Sequence, residues 1–275
     1  MRLGIFAKTF AGSDPATVLA ASRAAGFTSV QYNMACSGLP TMPDDLSAAD
    51  VAAVAAASAA EGVAIAAVSG TYNMIHPDPN VRAKGLARLE VLLRHARAMG
   101  TGMVTLCTGT RDADDQWRHH QDNASPEAWD DLLAEMAKAC AIAEPLGIKL
   151  GIEPELANVV DCAVRARALI DTLQSPALAI VLDPANLFEV VSLPKQHDLL
   201  ARAVDLLADR IAMAHAKDRD SAGGFATAGK GVVDFPHFLG RLKASGFDGD
   251  LVTHGLGADE APGVAHYLSD VLAGL

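Results

Sequence analysis

The sequence has few aromatic residues and few cysteines. Aromatic residues make up 5% of the 275 residues, and the four cysteines, at positions 36, 107, 140 and 162, form no CxxC pair. Isolated cysteines of this kind are typical of free thiols in a reducing compartment. Neither a disulfide framework nor a cysteine-based zinc motif is therefore predicted.

Long apolar runs are also missing. The longest stretch of low polarity, Ala48–Gly62, is mostly alanine and falls short of the ~20 apolar residues that a membrane span needs. The apolar run at the start of the sequence is short and contains Lys8, unlike a secretory signal peptide. We therefore expect a cytoplasmic protein with no membrane partner.

The chain has fewer basic than acidic residues, and the basic residues are not concentrated in one stripe. The 22 Lys and Arg residues face 33 Asp and Glu, which gives a net charge of −11. The most basic segment, Arg82–Arg97, is interrupted by Glu90 and reads as a solvated helix face. An acidic surface repels a phosphate backbone, so we expect no nucleic-acid partner. A dinucleotide fingerprint, a P-loop and a GxSxG motif are all absent.

What the sequence has is ample apolar material arranged in a repeating unit. Hydrophobic residues make up 51% of the chain, and the mean hydropathy is +0.21. The unit is an Ala- and Leu-rich helical segment, then a glycine, then a short β-branched run. The glycine suits a left-handed helix cap, where other residues meet a Cβ clash. Five glycines end such segments: Gly26, Gly62, Gly100, Gly147 and Gly246.

Start signals for helices lie between the β-branched runs. They are Asp14 before Pro15, Ser47 with Asp50, Asp78 before Pro79, and Ser125 before Pro126. We assign eight strands, at residues 3–7, 29–32, 64–69, 103–107, 149–153, 179–182, 211–214 and 251–253. Apolar strands that alternate with helices favour a parallel sheet covered by helices. The predicted fold is α/β, a single (β/α)8 TIM barrel over residues 1–275, with a doubly wound sheet as the alternative.

Four residues with metal-binding side chains follow four consecutive predicted strands. They are Glu153 after the fifth strand, Asp183 after the sixth, His215 after the seventh and His254 after the eighth. Each taken alone is compatible with a helix cap or a hydrogen-bonded histidine. Together they would converge at the barrel mouth and predict one bound divalent metal ion. Two imidazoles and two carboxylates suit Mn, Co, Fe or Zn better than Mg.

Three segments carry a resemblance to a known family. They are IEPE at Glu153, LDPAN at Asp183, and the long stretch from His215 that contains HAKD, GKGVVDF and GFDG. These segments resemble the xylose isomerase-like TIM-barrel superfamily, which includes sugar isomerases, ketose 3-epimerases, inosose dehydratases and the endonuclease IV group. The resemblance implies one divalent metal held by Glu, Asp, His and a second Glu. Glu153, Asp183 and His215 match the first three.

The chain departs from the family pattern at two positions. His254 stands where the second Glu is usual, and Asn186 stands where ketose epimerases often have a substrate-binding His. Without the second Glu, the proton exchange of the epimerases loses one of its two carboxylates, which argues against simple 3-epimerisation. The remaining base candidates are Glu155, Lys8, a metal-held hydroxide, and Glu153 if it leaves the metal.

Further polar residues fall on the predicted active face and are candidate substrate contacts. Each is equally compatible with a capping or surface role. Lys8 stands out because a cation inside an apolar first strand is costly without a partner. The loop 108–123 is long for its position and is interpreted as a lid. The candidates are Lys8, Asn33, His76, Thr108, Arg111, Trp117, Asn158, Asn186 and Lys217.

The sequence thus predicts a metal-dependent isomerase or epimerase that acts on a small sugar, keto-sugar or polyol derivative through an enediolate. A dehydratase or lyase on the same substrate class is an alternative, because elimination starts from the same intermediate. An endonuclease IV-like nuclease and a non-catalytic barrel subunit are weaker alternatives. The expected partner is a small polyhydroxylated substrate, and a homo-oligomer is compatible with the sequence.

Overall fold

The fold is a closed barrel of eight parallel strands. A computed structural model describes all 275 residues. The barrel strands are β1 Arg2–Phe6, β2 Ser29–Tyr32, β3 Ala64–Ser69, β4 Met103–Leu106, β5 Lys149–Ile152, β6 Leu178–Leu182, β7 Ile211–Ala216 and β10 Asp250–Thr253. They follow each other around the barrel in the order β1-β10-β7-β6-β5-β4-β3-β2. The predicted TIM barrel is confirmed, and the doubly wound alternative is wrong because β1 pairs with β10.

Eight helices surround the barrel. The predicted caps are confirmed at four of them: the Asp14, Ser47, Asp78 and Ser125 side chains each accept a backbone N–H of the first turn. Each cap satisfies a donor that the helix leaves unpaired, which fixes where the helix begins. The helices are α1 Pro15–Ala24, α2 Ala48–Glu61, α3 Pro79–Ala96, α4 Pro126–Leu146, α5 Ala163–Leu173, α6 Leu193–Leu207, α7 Phe235–Ala244 and α8 Ala261–Ala273.

Five of the eight helices, α1, α2, α3, α4 and α7, are followed within four residues by a predicted cap glycine. The five predicted cap glycines all have positive φ, between 62° and 98°. Helix α5 instead ends at Gln174, the one non-glycine residue with positive φ, at 51°. Helix α6 ends at Ala208 with a helical backbone, so the long interval between the predicted caps Gly147 and Gly246 spans two helices that end without a glycine.

A small hairpin interrupts the last part of the barrel and was not predicted from the sequence. Strands β8 (Asp218–Arg219) and β9 (Phe225–Ala226) pair antiparallel directly after β7. Strand β7 itself runs two residues beyond the predicted end. Both differences lie at the C-terminal end of the barrel strands, where the candidate site residues are.

The barrel interior is layered by the two-residue period of the strands. One layer is apolar and is formed by Ala67, Met103, Val181, Met213 and Val252. A separate cluster of 65 buried residues fills the space between sheet and helices. Because side chains two residues apart point the same way, the next interior layer towards the barrel mouth is polar. It contains Ser69, Thr105, Asp183, His215 and His254. None of the helices has the length and apolarity needed to cross a membrane.

Candidate metal centre and active-site cavity

The four predicted metal ligands meet at the barrel mouth. Glu153 follows β5, Asp183 follows β6, His215 lies on β7 and His254 follows β10. Each side chain offers one ligand atom, and these four atoms all lie within 4.8 Å of one another. The parallel strands bring them together because the strands end at the same rim of the barrel.

The ligand atoms pair imidazole with carboxylate. The distance from His215 Nδ1 to Glu153 Oε1 is 3.1 Å and to Asp183 Oδ2 is 3.8 Å. The second imidazole, His254, places Nε2 3.1 Å from Asp183 Oδ2. Asp183 is fully buried, and the His215 side chain is 4% exposed. Two carboxylates this close in a poorly solvated site repel each other unless a cation lies between them.

Gln31 on β2 fixes the orientation of the His215 ring. The Gln31 amide donates to the hydroxyls of Ser69 and Thr105 at 3.0 and 3.2 Å, so its oxygen is left to accept from His215 Nε2 at 2.8 Å. With the proton on Nε2, the Nδ1 lone pair of neutral His215 points at the Glu153 oxygen. Two acceptors at 3.1 Å require a proton or a metal ion between them. The residues therefore fit a bound divalent metal.

The pKa values of the clustered side chains support the same conclusion. Burial disfavours the charged form of His215, but the charges of Glu153 and Asp183 outweigh it and raise the pKa to about 9. Burial also opposes ionisation of Asp183, yet Lys217 and the two histidines hold its pKa well below the usual value. The pKa of His254 is lowered by burial and by the charge of His215. Without a metal, one proton on His215 takes the place of the cation.

Asn186 and Lys217 connect the ligands to the rest of the cavity. Asn186 donates to Glu153 Oε1 at 2.7 Å and accepts from Lys217 Nζ at 2.7 Å. Lys217 Nζ also lies 3.4 Å from Asp183 Oδ2 and 3.9 Å from the ring centre of Phe225. Both polar side chains are nearly buried, so this chain of contacts holds the Glu153 carboxylate in place.

Asp183 is both a helix cap and a member of the ligand cluster. Its Oδ1 accepts from the backbone N–H of Ala185 at 2.9 Å, while Oδ2 faces His254. The two interpretations of the LDPAN motif are therefore compatible, because each uses a different carboxylate oxygen. The cap fixes the carboxylate plane and aims the free oxygen at the imidazoles.

Glu155 differs from the other carboxylates at the mouth. Its side chain makes no hydrogen bond or ion pair to another residue, and it lines a cavity at the barrel mouth. Burial and the neighbouring charge of Glu153 raise the pKa of Glu155 to about 7. A carboxylate with a pKa near neutrality is suited to accept and return a proton.

A cavity of about 750 Å³ opens above these residues; we call it the site cavity. Its volume is in the usual range for small-molecule sites. Of the residues predicted from the sequence, those that line it are Lys8, Asn33, Trp117, Glu153, Glu155, Asn186, His215, Lys217 and His254.

Four predicted substrate contacts lie outside the site cavity, and two of them hold loops together. Thr108 is fully buried, and its hydroxyl accepts the backbone N–H of Val160 at 3.1 Å. The Asn158 side chain accepts the backbone N–H of Gly109 at 2.8 Å. These contacts tie the loop after β4 to the loop after β5. Both side chains therefore bond backbone groups of the protein, which is the alternative to substrate binding for polar residues near strand ends.

Arg111 and His76 also have partners within the protein. Arg111 forms an ion pair with Asp131 at 2.7 Å and donates to the carbonyl of Ile75 at 3.1 Å. The His76 ring donates from Nε2 to the carbonyl of Ala113 at 3.0 Å. Both side chains anchor the loop 108–123 against the start of helix α3.

The expectation that Lys8 is a cation within the first strand is wrong. Strand β1 ends at Phe6, and Lys8 lies in a short 3-10 turn, where it is exposed at the rim of the site cavity. Water reaches the ammonium there, so no buried partner is needed. Asn33 likewise begins a 3-10 turn, and its side-chain oxygen accepts from Ala35 N at 3.0 Å.

Two residues with contacts in the site were missed from the sequence. The sequence contains an indication for Gln31, since it is a polar residue within a four-residue strand whose other members are buried. It contains no indication for Phe225, because the position of that residue depends on the hairpin formed by β8 and β9.

Comparisons with known proteins agree with the fold. A family model described as xylose isomerase-like TIM barrel matches residues 19–264. A search of curated protein sequences finds no match for the chain. The 3-keto-D-glucoside 4-epimerase of E. coli has a similar structure, with a TM-score of 0.76, 17% identity, and 99% of each chain covered.

Two further solved structures are similar over nearly their whole length. A D-tagatose 3-epimerase-like protein gives a TM-score of 0.78 at 16% identity and covers 99% of this chain and 97% of its own. A D-allulose 3-epimerase from Methylomonas sp. gives 0.74 at 17% identity, with 98% of each chain covered. At these identities the structures establish the fold alone. Since the family model spans most of the sequence, the chain belongs to the xylose isomerase-like TIM-barrel family.

Proposed function

We propose that this chain is a divalent-metal-dependent isomerase or epimerase of a small sugar, keto-sugar or polyol derivative that acts through an enediolate. The observation that carries the proposal is the cluster of Glu153, Asp183, His215 and His254 beside Glu155 in one polar cavity. The fold similarity to sugar epimerases supports the same substrate class. We propose Mn, Co, Fe or Zn as the metal, with Mg less suited to two imidazoles.

A metal held by the four ligands would polarise the substrate carbonyl and stabilise the enediolate. Glu155 takes the proton from the carbon next to the carbonyl, since its carboxylate faces the cavity and has no partner in the protein. Lys217, held between Asn186 and Asp183, places a positive charge beside the developing negative oxygen. Lys8, exposed at the rim, is the second proton donor or acceptor within the cavity lining.

One observation favours the second candidate, a dehydratase or lyase on the same substrates. Two carboxylates line the site cavity, and Glu153 is occupied by His215 and Asn186, which leaves Glu155 alone. Epimerisation needs proton exchange on both faces of the carbon, whereas elimination needs one base and an acid for the leaving group.

The test is solvent deuterium incorporation. The purified protein is stripped with a chelator, reloaded separately with Mn, Co, Fe or Zn, and incubated in D₂O with free keto-pentoses and keto-hexoses. We expect the sugar to gain deuterium at the carbon next to its carbonyl only when it is incubated with the metal-reloaded protein. A product that has lost water identifies the elimination reaction, and an epimer identifies the first candidate. Absence of exchange with every metal and sugar would contradict both.

A further inference from the structure

A second cavity adjoins the site cavity and is assigned no role by the proposed reaction. It has a volume of about 530 Å³ and lies over the ends of β3 and β4, against helix α3. Four residues line both cavities: Met42, Thr71, Arg88 and Gln116. The two spaces are therefore neighbours across one shared wall, and each alone has the volume of a small-molecule site.

The second cavity has polar walls with no excess of positive charge. Arg88 is already paired with Asp44, at 2.6 and 3.1 Å. The other charged side chains in its lining are one ammonium group, that of Lys84, and two carboxylates, those of Asp114 and Asp115. A phosphate group placed here would face two carboxylates and one ammonium, so electrostatics disfavours an anionic occupant.

Aromatic rings are present at the junction and in the wall. Trp117 lines the site cavity next to Gln116, and its side chain is 49% exposed. Tyr72 lines the second cavity but is 8% exposed, because its ring packs on Gly85 of α3. The exposed ring of Trp117, beside polar groups at the junction, is suited to a sugar ring, which has an apolar face and a polar edge.

We infer that the substrate is larger than a free monosaccharide and that it carries a second, uncharged polyhydroxylated unit, as in a glycoside or disaccharide. The reacting sugar lies in the site cavity, and the second unit lies in the second cavity. This inference rests on the proposed function, because it names the substrate class of the same site. Binding energy from the remote unit would be used at the reacting carbon, so removing that unit lowers kcat as well as affinity.

The experiment compares three substrates that share one reacting keto-sugar ring: the free sugar, its disaccharide and its phosphate ester. Deuterium exchange is measured with the metal-loaded protein. We expect kcat/KM for the disaccharide to exceed that for the free sugar by at least about tenfold. Equal values, or a preference for the phosphate ester, would overturn the inference and leave the proposed function standing.

Exchange with none of the three would contradict the proposed function, and binding then tests the inference separately. Calorimetric titration compares a non-reacting disaccharide with its monosaccharide on the same metal-loaded protein. Tighter binding of the disaccharide supports a two-unit site. Equal or weaker binding overturns it.

A pair of variants locates the second unit. Ala113 is exposed and lines the second cavity, and its side chain makes no hydrogen bond. Ala113→Phe should reduce the preference for the disaccharide at least about tenfold by filling the space. Ala124→Phe, on an exposed residue that directly follows the loop 108–123 and lines neither cavity, is the matched control and should leave the preference unchanged. A preference that survives Ala113→Phe would place the second unit elsewhere and contradict the inference.

Discussion

The two halves of the barrel mouth are built differently. The half formed by β5, β6, β7 and β10 carries all four clustered ligands, and their side chains are bonded to one another. The half formed by β1 to β4 contributes neutral polar groups, such as Gln31, Ser69 and Thr105, to the barrel interior, and both cavities extend over it.

This difference separates two tasks. A cluster of opposite charges in a buried site is held rigidly, because each group needs its partner to remain ionised. Neutral polar side chains impose weaker constraints, so they accommodate hydroxyl groups of varied substrates. The ligand half is therefore expected to determine whether reaction occurs, and the other half which substrate reacts.

The largest effect is expected in the ligand half, from Asp183→Asn. The amide oxygen still accepts the N–H of Ala185, so the cap and the local fold are retained. The loss of the buried negative charge removes a proposed metal ligand and the partner of His254. We expect metal content to fall and kcat/KM to drop at least about 10³-fold, which corresponds to about 4 kcal/mol of transition-state stabilisation.

Metal analysis of the purified variant together with its circular dichroism spectrum checks this prediction. Asn33→Ala in the other half is the comparison variant, since Asn33 lines the cavity but touches none of the ligands. If Asp183→Asn retained full metal and activity while Asn33→Ala lost both, the division between the halves would be wrong.

The next largest effect is expected at Glu155. General bases contribute about 10² to 10⁴ in rate, so Glu155→Gln should lower kcat by at least about 10²-fold. The deprotonated form is the active one, so activity rises with pH through the pKa of this carboxyl. Burial and the charge of Glu153 place that pKa at about 7, and a nearby metal cation would lower it, so the inflection lies at or below pH 7.

The pH profile of kcat/KM distinguishes this role from a structural one. The acidic inflection should disappear in Glu155→Gln, while metal content stays at the wild-type level because Glu155 is outside the ligand cluster. An unchanged profile in the variant would assign the base to another residue, with Lys8 the next candidate in the cavity lining.

The two halves also differ in how well the sequence predicts them. In the ligand half, each ligand comes within a residue of the end of a short apolar strand, and a parallel barrel fixes where such a residue lies. The local sequence pattern is therefore enough to predict that side chains at consecutive strand ends lie close together. The cluster of Glu153, Asp183, His215 and His254 follows from strand order alone.

In the loops, the sequence shows which residues are polar but not which partner each one has. Thr108, Arg111 and Asn158 are as polar as Asn33, yet they bond loop backbone or Asp131 instead of lining the cavity. Those partners are distant in the sequence and depend on how two loops pack together. Phe225 reaches the site through an antiparallel pairing of two-residue strands, which is too short to leave a periodic signal.

A smaller effect is expected where the half formed by β1 to β4 supports the ligand half. Gln31→Met removes the acceptor of His215 Nε2, so the imidazole loses its preferred tautomer. Loss of such a supporting hydrogen bond typically lowers metal affinity about 10- to 100-fold. Thr105→Val is the matched control, because it removes one acceptor of the Gln31 amide and keeps the Gln31 to His215 bond.

Titration of the stripped variants with Zn or Co measures the affinities directly. If Gln31→Met bound metal as tightly as wild type, or if Thr105→Val were equally impaired, the tautomer would be set by other contacts. In that case the two halves of the mouth would be independent of each other.

The smallest effect concerns the helix cap that breaks the glycine pattern. Gln174 ends α5, in the ligand half, with φ at 51°, whereas α2 in the other half ends at Gly62 with φ at 62°. A side chain at positive φ costs about 1 to 2 kcal/mol relative to an unstrained backbone, and glycine avoids most of it. Gln174→Gly should therefore stabilise the protein by about 1 kcal/mol, which raises the Tm by about 2 °C for a chain of this size.

Gly62→Gln is the reciprocal variant, since an added Cβ there would meet no atom within 4 Å and only the backbone conformation is tested. We expect it to lower stability by about the amount that Gln174→Gly adds. Thermal and urea unfolding of both variants measure the two changes. If Gln174→Gly were neutral while Gly62→Gln was destabilising, the greater flexibility of glycine in the unfolded chain would offset the relief of strain at Gln174. The missing glycine in the repeat would then carry no cost, which would explain how α5 ends without one.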